Sequence, residues 1–241
     1  MLNNFEIVKA NLLNKMTLTL EVEEKRHLQF KHPFSLVAAG PSGSGKTYLV
    51  RDILEHHKST ICDINKDIIK VIWCHGIWQE IYSKAIKNVD FKYLEDLPTE
   101  EEVIGYDIIV IDDLMSEISN NEYVLSLFTK GSHHNNQSVI FLTQNLYHKG
   151  GIIRNLNRNT QYLLLFKSPR DKMQIYALAR QTYPNESKFF ISAYEQATSQ
   201  PHGYLLADYK QDTPENLRLK TRIIPCKESD YKLSPFGFVK K

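Results

Sequence analysis

The sequence predicts an α/β fold, a mainly parallel sheet with helices on both faces. Three observations point there. Short, almost wholly apolar segments of strand length recur along the chain, and segments with helical spacing separate them. Strands apolar on both faces belong in a sheet that is covered on both faces. Residues 40–47, Gly-Pro-Ser-Gly-Ser-Gly-Lys-Thr, match the pattern G-x-x-x-x-G-K-[ST] and lie between one such strand and one such helix.

Taken in order, Thr17 to Val22 alternates apolar and polar residues like a half-exposed strand. Phe34-Ser35-Leu36-Val37-Ala38-Ala39 reads as a buried strand, and Thr47 to His57 as a helix with its apolar side at Leu49, Val50, Ile53 and Leu54. Ile68 to Cys74 is the second buried strand. Trp78 to Ile86 reads as a short helix, and Thr99-Glu100-Glu101-Glu102 as a capped helix start. Tyr106 to Asp113 is the third buried strand. Glu117 to Lys130 has helical spacing and stops at Gly131. Ser138 to Gln144 and Tyr162 to Lys167 are the fourth and fifth strands. Arg170 to Gln181 and Glu186 to Ala197 are helical, and Gly203–Asp208 with Leu217–Ile224 forms a closing hairpin. Residues 1–33 read as a polar lead-in, 34–225 as one phosphate-loop domain and 226–241 as a tail.

The loop assigns a separate task to each fixed position. Gly40 and Gly45 accept backbone conformations that a Cβ disfavours. Pro41, Ser42, Gly43 and Ser44 complete a curve whose N–H groups face an anion, and Tyr48 follows at the helix start. Lys46 is placed to meet the β- and γ-phosphates of ATP, and the Thr47 hydroxyl to ligate Mg²⁺. The third strand ends in Asp112-Asp113 after four apolar residues. Asp112 then serves the metal, and Asp113 either orients and deprotonates the attacking water or caps the next segment. Gln144 ends the fourth strand. If that strand lies between the first and third, Gln144 sits beside the γ-phosphate; otherwise it is an ordinary turn residue. Arg154, Arg158 and Arg170 are candidates for an arginine that completes a neighbouring subunit's site, with surface or structural roles equally open to each.

Composition narrows the class further. The 241 residues are 42% hydrophobic, with no apolar run near the ~20 residues of a membrane span. The first residues lack a basic segment followed by an apolar one, so no secretory signal is expected. Cys62, Cys74 and Cys226 are too few for a disulfide framework, which points to a reducing compartment. The pairs His56-His57 and His133-His134 read as helix-end or loop residues rather than metal ligands. Net charge is +2, unevenly spread. Between Asn145 and Thr182 stand Lys149, Arg154, Arg158, Lys167, Arg170, Lys172 and Arg180 against the single acid Asp171. Such a segment fits an anionic partner and sequence-independent phosphate contacts.

Val110 to Met115, Phe141 to Gly150, Leu165 to Asp171 and Tyr204 to Arg218 carry a more specific pattern. In these blocks the chain resembles the poxvirus-type DNA-packaging ATPases of large DNA viruses, virophages, adintoviruses and Maverick/Polinton elements, within the FtsK–HerA superfamily. The resemblance implies a RecA/FtsK–HerA-like P-loop NTPase that uses ATP and Mg²⁺ to pump double-stranded DNA into a preformed capsid. It also implies a pentameric or hexameric ring, a capsid or portal partner, no membrane, and an intracellular setting in an infected or element-bearing host. Carried over by position, Lys46 and Thr47 match the Walker A residues, Asp112 and Asp113 the Walker B pair, and Gln144 the polar sensor. Many members have Asp-Glu where this chain has Asp112-Asp113, so the base must approach its water more closely. The alternatives are a nucleotide or small-molecule kinase, and a DNA- or capsid-binding scaffold that ATP switches without turnover.

Overall fold

A computed structural model describes residues 26–118, 121–128, 136–146, 159–224 and 236–238. Among these, nine strands form one sheet in the order β11-β10-β9-β8-β2-β7-β6-β4-β5. The strands are β2 (Ser35–Ala39), β4 (Ile69–His75), β5 (Val89–Leu94), β6 (Ile108–Asp112), β7 (Ser138–Thr143), β8 (Tyr162–Phe166), β9 (Tyr204–Asp208), β10 (Leu219–Thr221) and β11 (Phe236–Gly237). The block from β5 to β8 is parallel throughout. β9, β10 and β11 add antiparallel at the β8 edge, the expected closing hairpin being β9–β10. A separate short pairing joins β1 (Phe30–Lys31) to β3 (Ile61–Cys62).

The helices explain why the parallel strands are apolar on both faces. Helix α1 (Lys46–Glu55) and the one-turn α2 (His57–Thr60) follow β2. Leu49, Val50, Ile53 and Leu54 of α1 pack on the sheet face formed by Leu36, Ala38, Val71, Trp73, Val110 and Ile140. The opposite face, with Val37, Ile72, Ile109, Ile111, Val139 and Leu163, is covered by α5 (Lys172–Thr182) and α6 (Ser187–Ala197). The short α3 (Met115–Ile118) and α4 (Glu122–Ser126) pack on the same side through Ile118 and Val124. Each fully buried Leu or Ile contributes ~1.5–3 kcal/mol, which makes this two-sided burial the main source of stability.

Three expectations need correction. Trp78 to Ile86 is not a helix but one 3-10 turn, Glu80–Ser83. Aromatic packing fixes this turn in place of a helical hydrogen-bond ladder. At Thr99 the capping box forms, with Thr99 N–H donating to Glu102 Oε2 at 2.9 Å and Glu102 N–H to Thr99 Oγ1 at 3.4 Å, yet only a turn follows. Among the described residues, the stretch from Glu117 is interrupted: Asn121 leaves helical geometry and its side chain accepts the Tyr123 and Val124 N–H groups. Strand β5 was not anticipated at all. The expected strand at Thr17–Val22, and Lys130, Gly131, Lys149, Arg154 and Arg158, lie outside the described residues.

Candidate nucleotide site

The loop after β2 turns sharply because its glycines allow it. Gly45 is the residue before α1 and has φ 98°, a left-handed geometry. Gly40 is held by close approach instead: a Cβ there would come within 2.6 Å of Phe166 Cβ. No side chain caps α1, so the N–H groups of its first turn, at Lys46, Thr47 and Tyr48, are directed into the cleft at the positive end of the helix dipole. Ser44 Oγ is buried without a protein hydrogen-bond partner among the described residues. An orphaned hydroxyl beside unpaired amides is what an oxyanion would satisfy.

Lys46 folds back over this loop, its Nζ donating to Gly40 O at 2.6 Å and Pro41 O at 3.0 Å. Burial pulls its pKa below the ordinary lysine value, and the nearby Asp112 and Asp113 charges oppose that fall. Thr47 Oγ1 donates to Asp112 Oδ2 at 3.1 Å, which leaves the hydroxyl lone pairs facing away from the carboxylate. Asp112 is buried at the end of β6, and burial raises its pKa against the hydrogen bonds from Tyr82 and Thr47 that lower it. The next residue differs. Asp113 has φ 59°, which ends the strand abruptly and leaves its carboxylate exposed at the cleft.

β7 does lie between β2 and β6, so Gln144 emerges between the loop and the acidic pair. Its Nε2 donates to Asp113 Oδ1 at 3.1 Å. Loop, acidic pair and glutamine line one cleft of about 250 Å³ with Tyr48, Gln79, Leu142 and Thr143. Thr47 and Asp112 offer hard oxygen donors 3.1 Å apart, which suits Mg²⁺ held largely through water.

Arg170 lies just beyond β8, at the same end of the sheet as the loop because β8 and β2 are parallel neighbours. It is exposed, as are Lys167, Lys172 and Arg180. Two contributors were not singled out from sequence. His202 has φ 58° and its Nδ1 lies 3.2 Å from Ser44 O, bracing the phosphate loop from the α6–β9 connection. Tyr82 donates its hydroxyl to Asp112 Oδ2 at 2.9 Å. Burial, then the adjacent Asp112 charge, raises the Tyr82 pKa far above the ordinary tyrosine range, so it stays a donor. Neither residue belongs to a motif; only the fold brings them to the loop.

The glycine-rich loop, the helix that follows it, and a strand inserted between loop strand and acidic strand define a P-loop NTPase fold of the α/β class. No model of a known protein family matches the chain, and no curated protein matches it. Among solved structures, the chain is similar to the genome packaging NTPase of Sulfolobus turreted icosahedral virus 2 in complex with AMPPCP. That likeness has a TM-score of 0.48 at 14% identity, over 73% of this chain and 93% of the other. The DNA-packaging ATPase of Sulfolobus turreted icosahedral virus gives a TM-score of 0.48 at 14% identity, over 74% and 94%. The N-terminal domain of zonular occludens toxin from Neisseria meningitidis gives 0.38 at 17% identity, over 55% and 76%.

Proposed function

We propose that this chain is an ATP-hydrolysing motor that moves double-stranded DNA in the packaging of a viral or virus-like genome into a capsid. The observation that carries hydrolysis is the Gln144–Asp113 hydrogen bond at the open end of the phosphate cleft. A carboxylate and an amide side by side there can hold one water, the amide orienting it and Asp113 accepting its proton. Lys46 exchanges its loop carbonyls for the β- and γ-phosphates, and the first-turn amides of α1 hold the anion. Thr47 and Asp112 would hold Mg²⁺, which supplies charge neutralisation on the phosphates. Asp113 reaches less far than a glutamate, and its left-handed backbone sets the carboxylate at the cleft.

DNA as the track is supported by the exposed Lys167, Arg170 and Lys172 beside the site and by the sequence resemblance to packaging ATPases. Contacts of this kind neutralise phosphates without reading bases. In a ring of such subunits, one of Arg154, Arg158 and Arg170 completes the neighbour's site; Arg170 is the candidate placed at the loop end of the sheet.

Comparison of wild type with Lys46→Ala and Asp113→Asn tests the chemistry. Lys46→Ala is expected to weaken ATP binding at least about tenfold, as loss of a charged phosphate contact should. Asp113→Asn is expected to keep ATP affinity within about threefold and to lose roughly 10²–10⁴ in turnover. Hydrolysis unchanged in Asp113→Asn would contradict the base assignment. Phosphate passing to a nucleoside monophosphate rather than to water would contradict hydrolysis as the reaction.

A further inference from the structure

Between β4 and β5 the chain makes one 3-10 turn whose Tyr82 is 3% exposed and reaches the acidic strand. Its ring is enclosed by other rings. His75 stacks on it at 5.3 Å and 24°, and Trp73, Trp78 and Tyr93 lie at 5.5, 5.5 and 5.4 Å between centroids. The cage leaves the hydroxyl one direction, toward Asp112 Oδ2. The turn is also tied to the phosphate-loop helix. Arg51 of α1 is buried, donates to Tyr93 Oη at 2.9 Å and to the Lys84 carbonyl, and lies over the Phe91 ring. One helix thus carries Thr47, the first donor to Asp112, and anchors the turn that carries the second.

We propose that Tyr82 is a positioning residue for the divalent cation, fixing the Asp112 carboxylate, jointly with Thr47, so that Oδ1 is presented to the cation's water shell. Both hydrogen bonds fall on Oδ2, which pins the carboxylate's rotation. A ligand held by an outer partner does not have to be ordered when the metal arrives. The proposal rests on the nucleotide-site reading above and goes beyond it in naming what orients the metal-side carboxylate.

The test is calorimetric titration of AMPPCP into wild type and Tyr82→Phe at graded Mg²⁺, which needs no turnover. The substitution removes one oxygen and keeps the ring in its cage. Tyr82→Phe is expected to raise the Mg²⁺ concentration for half-maximal enhancement of binding about 10–100-fold. Affinity without Mg²⁺ should stay within about twofold, which a merely structural loss would not preserve. An unchanged Mg²⁺ half-point overturns the proposal. Wild type that binds no nucleotide at any Mg²⁺ concentration overturns the site reading and this proposal with it. If circular dichroism shows Tyr82→Phe unfolded, wild type decides. The chain has two tryptophans, Trp73 and Trp78, and both pack on Tyr82. Mg²⁺ added to the AMPPCP-bound chain is then expected to leave tryptophan emission in place, because the carboxylate and its cage are already fixed; a shift that reports reordering of the cage overturns the proposal.

Discussion

A methyl group at Gly40 would meet the Phe166 Cβ at 2.6 Å, a contact that neither side can relieve by a rotamer change. Gly40→Ala is therefore expected to push the loop strand and β8 apart and cost about 1–3 kcal/mol. At ~2–4 °C per kcal/mol for a chain of this size, melting should fall by roughly 2–12 °C, measurable by scanning calorimetry. Asp112 and Asp113 make the same point from the other side. They are adjacent in sequence, yet one is buried and hydrogen-bonded to Tyr82 and Thr47 while the other is exposed and paired with Gln144. A single change of backbone region at Asp113 separates the buried carboxylate from the exposed one.

Helix α5 shows how an element can fix a site without touching it. Asp171 caps it, accepting the Gln174 N–H at 3.3 Å and the Gln174 side-chain amide. Gln174 Oε1 in turn accepts the Leu146 N–H at 3.0 Å, two residues past Gln144. Asp171→Ala is expected to cost about 1 kcal/mol of stability, the usual loss for an N-cap, and to lower turnover as Gln144 loses its support. Chemical denaturation and a turnover assay on the same sample check both. The central strands were legible in the sequence because each is a short apolar run, as Ile108 to Ile111 illustrates. The phosphate loop was legible because its tasks fall on consecutive residues. β5 was not, since Val-Asp-Phe-Lys-Tyr-Leu mixes charges into an edge strand that is only partly buried. Trp78 to Ile86 misled because its apolar residues serve an aromatic cage, not a helix face. Tyr82 stands 30 residues before Asp112 and His202 stands 158 after Ser44, so no local spacing could connect them.

For the whole molecule, burial of polar groups between β1 and the sheet makes stability depend on pH. His32 is buried, with Nδ1 2.7 Å from Ser138 Oγ, which also accepts the Phe34 N–H at 3.0 Å. With Nδ1 unprotonated, that hydroxyl donates to it, the arrangement a neutral imidazole allows. Burial holds the His32 pKa below its ordinary 6.5, with Asp107 partly opposing. The unfolded chain thus binds a proton more readily, and stability falls as pH drops below about 6.5 toward the folded value. Urea unfolding from pH 8 to 5 should show that loss in wild type and a smaller one in His32→Gln; superimposable profiles would contradict it. The same molecule places exposed basic side chains at the end of its sheet that carries the cleft, and a motor requires the two to be coupled. The most direct measurement is steady-state ATP hydrolysis with and without linear double-stranded DNA, at the assembly mass found by light scattering. Turnover that rises with DNA in a ring-sized assembly, and is lost in Lys46→Ala and Asp113→Asn, is the expected result. Monomeric protein whose hydrolysis ignores DNA would contradict the motor.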